Sequence, residues 1–479
     1  MRTTTRHLAL AAASVAVVLT TAACGGGGND AAAQASASPL DAERANGLAQ
    51  RRPPPPPPAP PPAPATDATL ALASATASSQ PADGNVCAVS ANGGKVLFTS
   101  YSDTLVVGNN RPFTEDIFLK DFNGNGVTSV VTMGRSLTCL TMTPDANTVV
   151  FIEDQTDGRV DVLGNSGTEL AIVVRNLSTG QKTRVTPLLS TFPNVDSYQF
   201  AGISDDGSRV AFIAQPTRTC SGYDCTANGP ARMLLRDLAS GSLINLESQV
   251  RFTTSQGLAD GNAWLSPNGR TLAFSSRAAY PEVGDATSTG RDVYAFDIAG
   301  RSVRLVSTDA AGRQLSQQTL PGFQSIGPSF GVQTFLANSS MIAFFSFGES
   351  SAGPGGVYVK NLSTGALNRV LDSNLARDDG YRAFVSFSDD GRKVAYVEDN
   401  GIGGQANRTL PRVVDLTTGA RVNAATLTNG TVGNGNTTTA VLLSRDGKTA
   451  AFANNSTNLL GGLSPLGGAE LRAYRKLLP

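Results

Sequence analysis

One nine-residue phrase recurs seven times along the chain, and this repetition constrains the fold more than any other feature of the sequence. The third position of the phrase is Asp or Asn in every copy, the fourth is Gly in five copies, and the ninth is always aromatic. Self-similarity of this kind is typical of a repeat architecture. The copies are SANGGKVLF (90–98), TPDANTVVF (143–151), SDDGSRVAF (204–212), SPNGRTLAF (266–274), LANSSMIAF (336–344), SDDGRKVAY (388–396) and SRDGKTAAF (444–452).

Each copy has the pattern of a tight turn followed by a buried strand. Ser, a variable residue that can be Pro, then Asp or Asn and Gly favour a type I turn closed by a residue with positive φ. The apolar run after the turn is typical of a strand covered on both faces. A second hairpin follows in each of the first six repeats, as in VYVKNLSTGALNRVL (357–371). We therefore predict four strands, A to D, in each repeat, with short A–B and C–D turns.

The repeat length indicates how these units assemble. The aromatic residues that end the phrase lie 52 to 70 residues apart, which fits the blades of a propeller. The sequence therefore predicts an all-β fold, a seven-bladed β-propeller of four-stranded blades. After the seventh phrase only one further strand, LRAYRKLL (471–478), fits. Circular propellers commonly complete the last blade with a strand from the other terminus, and ATLALASA (67–74) is the predicted strand.

The Ser-x-Asp-Gly phrase, with a partner of the V-Y-x-x-D-L-x-x-G type, resembles the repeat of TolB-like, WD-repeat-like bacterial β-propellers. The resemblance covers residues 85–479. The α/β domain that precedes the propeller in TolB has no counterpart here, and nothing resembles an α/β-hydrolase domain after the repeats. The resemblance therefore implies the propeller alone.

The N-terminal residues resemble a bacterial lipoprotein signal. A basic start and an apolar stretch over 8–19 precede Thr21-Ala22-Ala23-Cys24. We expect residues 1–23 to be a signal peptide and Cys24 to carry the lipid. A plain signal peptide cut near Ala23 is the alternative. Gly25 follows the cysteine, which by similarity to known sorting signals favours the outer membrane. The expected location is therefore the bacterial cell envelope, as an outer-membrane lipoprotein facing the periplasm or the cell surface.

The next segment has the composition of a spacer. Residues 24–66 are rich in Gly, Ala and Pro and have no apolar period to bury, so they are expected to form a tether. The propeller is then expected over residues 67–479. Its only expected contact with the membrane is through the N-terminal lipid.

Composition disfavours several classes of function. The formal net charge is zero and no basic block occurs, so no nucleic-acid partner is expected. The one histidine, His7, lies in the signal peptide, which argues against His-dependent catalytic triads and His-ligated metals in the mature chain. Adjacent acidic residues such as Asp205-Asp206 are explained by turn chemistry. We therefore expect no cofactor, a monomer, and a binding protein in preference to an enzyme.

The loops predict where binding occurs. The A–B and C–D turns lie on one face of a propeller, here called the turn face, and are short and uniform. The B–C loops and D–A crossings lie on the opposite, loop face, and are long and irregular. Variable loops on a rigid scaffold commonly carry binding. The loop face is predicted to carry a polar rim that binds a peptide or a cation, with an inert solvated rim as the alternative. The candidate residues are Glu115, Asp116, Glu153, Asp154, Arg218, Tyr223, Tyr280, Arg291, Asp292, Tyr381, Glu398 and Asp399.

One short motif matches the opening of a calcium loop. Asp121, Asn123 and Asn125 have the D-x-N-x-N-G spacing, although the twelfth position is Thr132 where a Glu is usual. An ordinary C–D turn is the alternative, and no metal is predicted as the main interpretation.

The cysteines give two expectations. Cys220 and Cys225 bracket a short loop and are a disulfide candidate in an exported protein, with two free thiols as the alternative. Cys87 and Cys139 occupy related places in repeats one and two but are one residue out of phase. Strand alternation then directs them to opposite faces, which favours two buried thiols over a bond.

These observations predict a membrane-anchored, exported propeller that acts as a protein- or peptide-binding scaffold for an envelope partner. The alternative is a propeller-type hydrolase or lyase that acts on a carbohydrate or a lactone.

Overall fold

The computed structural model describes residues 67–479, with gaps at 77, 107–114, 125, 132–136, 155–169, 193, 222–223, 250–262, 277–279, 286–291, 316–334, 337–338, 350–352, 373–384, 400–408, 438–439 and 461–469. The predictions for the signal peptide, Cys24 and the tether lie outside this range. All described residues belong to the second of two units, residues 61–479.

The strands form one antiparallel sheet for each repeat, and the seven sheets are the blades of a propeller. The predicted fold class is therefore confirmed. In chain order, β1 (Leu70–Leu72) is followed by β2 (Asn85–Val89), β3 (Lys95–Ser100), β4 (Asp116–Asp121) and β5 (Gly126–Val131) in blade 1, and by β6 (Leu137–Met142), β7 (Thr148–Asp154), β8 (Leu170–Asn176) and β9 (Lys182–Arg184) in blade 2.

Blade 3 carries an additional hairpin between its second and third strands. The blade consists of β10 (Val195–Ile203), β11 (Arg209–Pro216), β14 (Arg232–Asp237) and β15 (Leu243–Asn245), and the hairpin of β12 (Arg218–Ser221) and β13 (Asp224–Ala227). Blade 4 consists of β16 (Ala263–Leu265), β17 (Thr271–Ser276), β18 (Asp292–Asp297) and β19 (Ser302–Leu305).

The remaining blades follow the same order. Blade 5 has three described strands, and a bridge between Phe335 and Ile342 marks the place of its strand A. Its strands are β20 (Met341–Glu349), β21 (Gly353–Asn361) and β22 (Leu367–Asp372). Blade 6 has β23 (Val385–Phe387), β24 (Lys393–Asp399), β25 (Thr409–Asp415) and β26 (Arg421–Asn423), and blade 7 has β27 (Val441–Leu443), β28 (Thr449–Asn454) and β29 (Arg472–Leu477).

Helical structure among the described residues is limited to three single 3₁₀ turns, at Leu189–Thr191, Glu247–Gln249 and Pro281–Val283. Within the same residues, no helix has the length and apolarity that crossing a bilayer requires.

Blade 7 is completed by the N-terminal strand, as predicted. β1 pairs antiparallel with β29, and Leu70 lies opposite Lys476 and Leu72 opposite Tyr474. The carboxylate of Asp67 fixes the start of this strand because it accepts the N–H of Leu70 at 2.7 Å and the N–H of Thr428 at 2.6 Å. Burial acts to raise the pKa of Asp67, but these hydrogen bonds outweigh it and hold the pKa well below its ordinary value.

The repeated phrase builds the same turn in every blade. Its fourth residue has a positive φ in all seven copies, including the two without glycine, where φ is 55° at Ala146 and 54° at Ser339. The Ser or Thr hydroxyl at the first position contacts the third-position Asp or Asn in six copies, as in Ser204 to Asp206 at 2.6 Å. The same hydroxyl accepts a backbone N–H five residues later, at 2.9 Å in Arg209. The phrase is therefore a self-contained turn that consumes its first, third and fourth residues.

The hydrophobic core lies between adjacent blades. Phe98 and Phe118 of blade 1 are fully buried, stack at a centroid distance of 5.7 Å, and pack in one cluster with Ala451 and Ala473 of blade 7. In every blade the ninth-position aromatic residue is buried in a hydrophobic cluster that it shares with a neighbouring blade. These buried aromatic residues dominate the interface between blades.

A cation near the end of strand C fastens four of the blades to the preceding blade. Arg236 Nε donates to the carbonyl of Val185 at 2.9 Å, and Lys360 Nζ donates to the carbonyls of Thr308 and Asp309 at 2.9 and 2.8 Å. Two further contacts of this type are made by Arg175 to Val130 and by Lys476 to Thr426. Each cation satisfies a carbonyl at or just beyond strand D of its neighbour.

The prediction of two separate thiols at Cys87 and Cys139 is wrong. A disulfide joins them, with their Cα atoms 6.0 Å apart, and links β2 of blade 1 to β6 of blade 2. The prediction assumed regular alternation, but the pairing shifts register between Val86 and Ala88 and between Cys139 and Thr141. A bulge adds one residue and reverses the side-chain phase, so the two cysteines meet.

In the additional hairpin of blade 3, Cys220 is disulfide-bonded, and Cys225 lies directly opposite it in the strand pairing. A two-stranded hairpin is marginally stable by itself, so a disulfide at Cys220 adds a covalent restraint to this small element.

Candidate functional site

The first, third and fourth residues of the phrase build the turn, whereas the residues at the second position vary between blades. We call these residues the turn ring; in the described part of the chain they are Ala91, Pro144, Asp205, Pro267, Asp389 and Arg445. Backbone hydrogen bonds join successive members, with Ala91 N–H to the Pro144 carbonyl at 2.8 Å, Asp205 N–H to the Pro267 carbonyl at 2.8 Å and Asp389 N–H to the Arg445 carbonyl at 2.7 Å. The seventh turn returns to the first through the N–H of Asp446 and the carbonyl of Ala91 at 3.2 Å.

Sequence explains where this chain of hydrogen bonds is interrupted. Blades 2 and 4 have proline at the second position, and proline has no N–H to pass to the next turn. Pro144 and Pro267 therefore accept a bond from the turn before but donate none. The result is a ring of turns in fixed contact, with its side chains directed by a rigid backbone.

A cavity of about 130 Å³ lies on the propeller axis beside the turn ring. Residues from all seven blades line it, which places it at the centre of the molecule. Phe200 and Trp264 form part of its wall and contact each other edge to face at a centroid distance of 6.3 Å. Pro144, Pro267 and Leu442 add apolar surface, and Thr143, Ser204 and Ser386 add polar surface, so the wall is of mixed polarity.

Two charged side chains, Asp205 and Arg445, line the cavity, and a third, Asp389, lies beside Arg445. Arg445 forms a two-point ion pair with both carboxylate oxygens of Asp205, which belongs to blade 3, and its Nε lies 3.8 Å from Asp389 Oδ1. Blades 7 and 3 are not neighbours, so the guanidinium lies across the opening. The side chains of Arg445, Asp389 and Asp205 remain 24%, 29% and 36% exposed, and solvent therefore reaches all three.

The acidic residue next to the ring has a different role. Asp206 and Asp390 occupy the third position of their turns, where each accepts hydrogen bonds within the turn. Burial acts to raise the pKa of both carboxyls, but the serine hydroxyl and backbone N–H bonds outweigh it and lower each pKa. In both copies of Ser-Asp-Asp-Gly, the first Asp therefore faces the opening and the second builds the turn.

Several residues predicted for a polar rim on the loop face are buried. Tyr280 is fully buried and lies edge to face against Tyr294, with centroids 4.9 Å apart. Asp116 and Asp292 are each 1% exposed, and Glu153 is 6% exposed. These four side chains therefore contribute little to the solvent-accessible surface of the loop face.

Blade 4 shows what these buried groups do. The Gln314 amide nitrogen donates to Asp285 Oδ1 and to Asp292 Oδ2, both at 2.9 Å, and Ser307 donates to Asp292 at 2.6 Å. Tyr294 donates its hydroxyl to Asp285, and burial together with this acceptor raises the pKa of Tyr294. The network ties the crossing after strand D to the loop before strand C.

The other predicted rim residues are distributed along separate blades. Glu115 is half-buried beside the exposed Tyr101, and Arg218 is exposed on the additional hairpin of blade 3. Glu398 pairs with Arg412 at 2.5 Å, and Glu153 pairs with Lys182 at 2.8 Å. Asp154 is half-buried. Tyr223, Arg291, Tyr381 and the side chain of Asp399 lie outside the described residues.

The described residues of the calcium motif form an ordinary C–D turn. Asp121 Oδ1 accepts the N–H of Asn123 at 2.9 Å and of Gly124 at 3.0 Å, as the Asp or Asn of the other C–D turns does. Asn125 lies outside the described residues. Across the part of the chain that the structure describes, no group of three His, Cys, Asp or Glu side chains could hold a metal ion.

Sequence reasoning missed the turn ring because it treated the whole phrase as structural. A signal was present: the second position varies between Ala, Pro, Asp and Arg while its neighbours stay fixed. A residue type that varies within a constant turn is not dictated by the turn itself.

No known protein family matches the sequence, and no curated protein matches it. Solved structures do match in fold. An oligogalacturonate lyase from Vibrio parahaemolyticus has a TM-score of 0.53 at 10% identity and covers 87% of this chain and 99% of its own. An oligogalacturonate lyase in complex with manganese has a TM-score of 0.50 at 14% identity, with 87% and 98% covered.

The structural neighbours also include TolB proteins. TolB from Acinetobacter baumannii has a TM-score of 0.39 at 18% identity, over 71% of this chain. The present chain spans 64% of the length of that protein. The expectation of a TolB-like propeller is confirmed at the level of the fold, because the strands form seven antiparallel blades.

Proposed function

We propose that this chain is an exported, membrane-anchored propeller that binds an extended protein segment in the cell envelope, and that the segment docks on the turn ring. The observation that carries the proposal is the placement of Asp205 and Arg445 in the wall of the axial cavity, with Asp389 beside Arg445. All three occupy the second position of the phrase, whereas the side-chain bonds that close the turns come from the first and third positions.

The size of the cavity favours a polypeptide ligand. Sites for drug-sized molecules commonly enclose roughly 300–1,000 Å³, whereas this cavity encloses about 130 Å³. It therefore has room for a single side chain with the rest of the ligand lying across the ring. The apolar part of its wall, which includes Phe200 and Trp264, suits the side chain of an anchor residue of a protein partner.

The entry of the N-terminal strand supports the choice of face. The carbonyl of Thr69 accepts the N–H of Leu477 at 2.7 Å, and the next residue, Leu478, bonds to Lys448 in the turn of blade 7 at 2.8 Å. The chain therefore enters blade 7 at the same end as Arg445. A partner on the turn ring would therefore lie at the end of blade 7 where β1 begins.

Site-specific photo-crosslinking tests this proposal. A photoreactive phenylalanine replaces Pro144, which lines the cavity and supplies no backbone donor, and in a matched variant it replaces Arg218 on the loop face. In cells of the native host we expect one discrete adduct from position 144 and none from position 218. Adducts from position 218 alone, or from neither position, would contradict docking on the turn ring.

The alternative function is a lyase or hydrolase, and similarity in fold to two oligogalacturonate lyases is the observation that favours it. Incubation of the purified full chain with oligogalacturonates and a lactone panel tests it. Turnover that survives removal of the turn-ring charges, with no crosslink at position 144, would replace the binding function by this one.

A further inference from the structure

The turn ring carries an imbalance of charge. Of its described members, Asp205 and Asp389 are acidic, Arg445 is basic, and Ala91, Pro144 and Pro267 are uncharged. The described members of the turn ring therefore sum to a formal charge of minus one, in a chain whose net formal charge is zero. Two of the three charged members, Asp205 and Arg445, line the axial cavity.

The repeated turn does not by itself require this arrangement. A partly exposed ion pair adds modestly to stability, and taking charges out of bulk water removes part of their hydration. Other blades place Ala or Pro at the same position and build the same turn. A charge at the second position is therefore not needed to form the turn.

The Arg445 guanidinium occupies the position that a ligand cation would take. It reaches across the opening from blade 7 and lies between the carboxylates of Asp205 and Asp389. Its side chain is 24% exposed, so a ligand cation can approach the same carboxylates from solvent. Two carboxylates facing one cation then form a ready receptor for another cation.

We propose that the turn ring recognises a lysine or arginine side chain of the bound segment, which replaces Arg445 between Asp205 and Asp389. This inference rests on the proposed docking site. The aliphatic stem of the ligand side chain packs against the prolines and the aromatic wall, and the aromatic rings Trp264 and Phe200 favour a nearby cation. A ligand carboxylate would have to separate Arg445 from Asp205 and approach Asp389, so an acidic segment is disfavoured.

The test uses the purified full chain in detergent and three fluorescent peptides of five residues with blocked ends. Their central residue is lysine, norleucine or glutamate, and their other residues are Pro and Ala. Fluorescence anisotropy measures each affinity. We expect the lysine peptide to bind at least tenfold more tightly than the norleucine peptide, and the glutamate peptide to bind most weakly.

Three variants then assign the charge effect to the ring. Asp389→Asn and Asp205→Asn are expected to weaken the lysine peptide about tenfold, because each removes one carboxylate of the receptor. Arg445→Gln is expected to tighten it severalfold, because the competing cation is gone. Asp103→Asn removes the same charge from an exposed loop on the other face and is expected to leave the affinity unchanged. Thermal melts confirm that each variant is folded.

The sign of the Arg445→Gln effect decides the inference. Weaker binding of the lysine peptide, or tighter binding of the glutamate peptide to the original chain, would make the ring an anion site and overturn the proposal. Equal binding of lysine and norleucine peptides, or no binding of the lysine peptide at millimolar concentration, also overturns it. The crosslink at position 144 is independent of these results, so docking on the ring and its preference for cations can fail separately.

Discussion

The two faces of the propeller use their polar residues in opposite ways. On the turn face, Asp205, Asp389 and Arg445 come from a uniform, fully predictable turn and remain partly exposed at the axial opening. On the loop face, Asp116, Tyr280 and Asp292 come from irregular segments and are almost completely buried. Irregular sequence therefore does not by itself indicate an accessible site. What decides accessibility is whether a polar group is consumed by the local structure around it.

The same contrast occurs between adjacent residues of one turn. Asp206 accepts the Ser204 hydroxyl at 2.6 Å and the Ser208 N–H at 3.0 Å, whereas Asp205 reaches across the axis to Arg445. Identical side chains in neighbouring positions thus serve folding and, in our proposal, recognition. The difference between accessible and structurally engaged polar groups therefore occurs within a single turn as well as between the two faces.

The largest effect is expected from removing the strand that closes the ring, because the turn ring exists only if blade 7 stays joined. Deletion of residues 67–76 removes β1, with Leu70 and Ala73 at most 1% exposed, and leaves β29 as an open edge. We expect loss of the cooperative unfolding transition, measured by circular dichroism. Deletion of residues 26–50 is the matched control and is expected to leave the melting temperature unchanged. A cooperative transition at the original temperature after loss of β1 would contradict this account.

The second effect tests whether loop-face carboxylates are structural. Asp285→Ala removes the acceptor of the Tyr294 hydroxyl, the Tyr280 N–H and the Gln314 amide, all in the buried network of blade 4. Leaving buried donors unsatisfied costs roughly 1–3 kcal/mol each, and partial relaxation brings the expected loss to about 3 kcal/mol. Urea unfolding measures it. Asp103→Ala, at an exposed position of the same face, is expected to change stability by less than about 0.5 kcal/mol. Equal stability of the two variants would mean that the buried network does not contribute to the free energy of unfolding.

The sequence predicted the parts of this molecule that repeat. The positive φ at Ala146 and Ser339 could be expected without glycine there, because the flanking phrase demanded the same turn. The closing strand followed from counting strands in the seventh repeat. Periodicity therefore predicted seven blades and the place of β1.

The parts that could not be predicted depend on departures from period. Bulges in β2 and β6 bring Cys87 and Cys139 together, and no residue type at these positions predicts the bulges. The burial of Asp292 depends on Gln314, which lies 22 residues away in an irregular crossing. Prediction of the turn ring requires the position of each turn relative to the propeller axis, and sequence spacing alone does not give that position.

The third effect compares neighbours within one turn. Asp206→Ala removes three hydrogen bonds that close the turn, to Ser204, Ser208 N–H and the Ser208 hydroxyl. We expect a loss of about 1 kcal/mol, comparable to loss of a capping side chain. Asp205→Ala removes a partly exposed ion pair and is expected to lose about 0.5 kcal/mol or less. Urea unfolding of both variants measures the difference. A larger loss for Asp205→Ala would assign the ring charges to stability and would weaken the case for recognition.

The smallest expected effect is a change in how much folding stability is lost at acidic pH. The pKa values of Asp206 and Asp390 are lowered in the folded chain, so each ionised carboxyl stabilises the fold above the unfolded value of about 3.9. That contribution is lost as the pH falls below about 4 and through the folded pKa values. Asn occupies the same position at Asn92 and Asn268 and makes the same bonds to its turn.

The double variant Asp206→Asn/Asp390→Asn should therefore keep nearly all of its stability at pH 7 and lose less than the original chain between pH 4 and pH 2. The difference is expected to be less than about 1 kcal/mol, because both carboxyls are largely solvated. Urea midpoints measured across this range test it. If the two chains respond to acid identically, the third-position carboxylates contribute through shape and neutral hydrogen bonds alone, and Asp and Asn are interchangeable there at every pH.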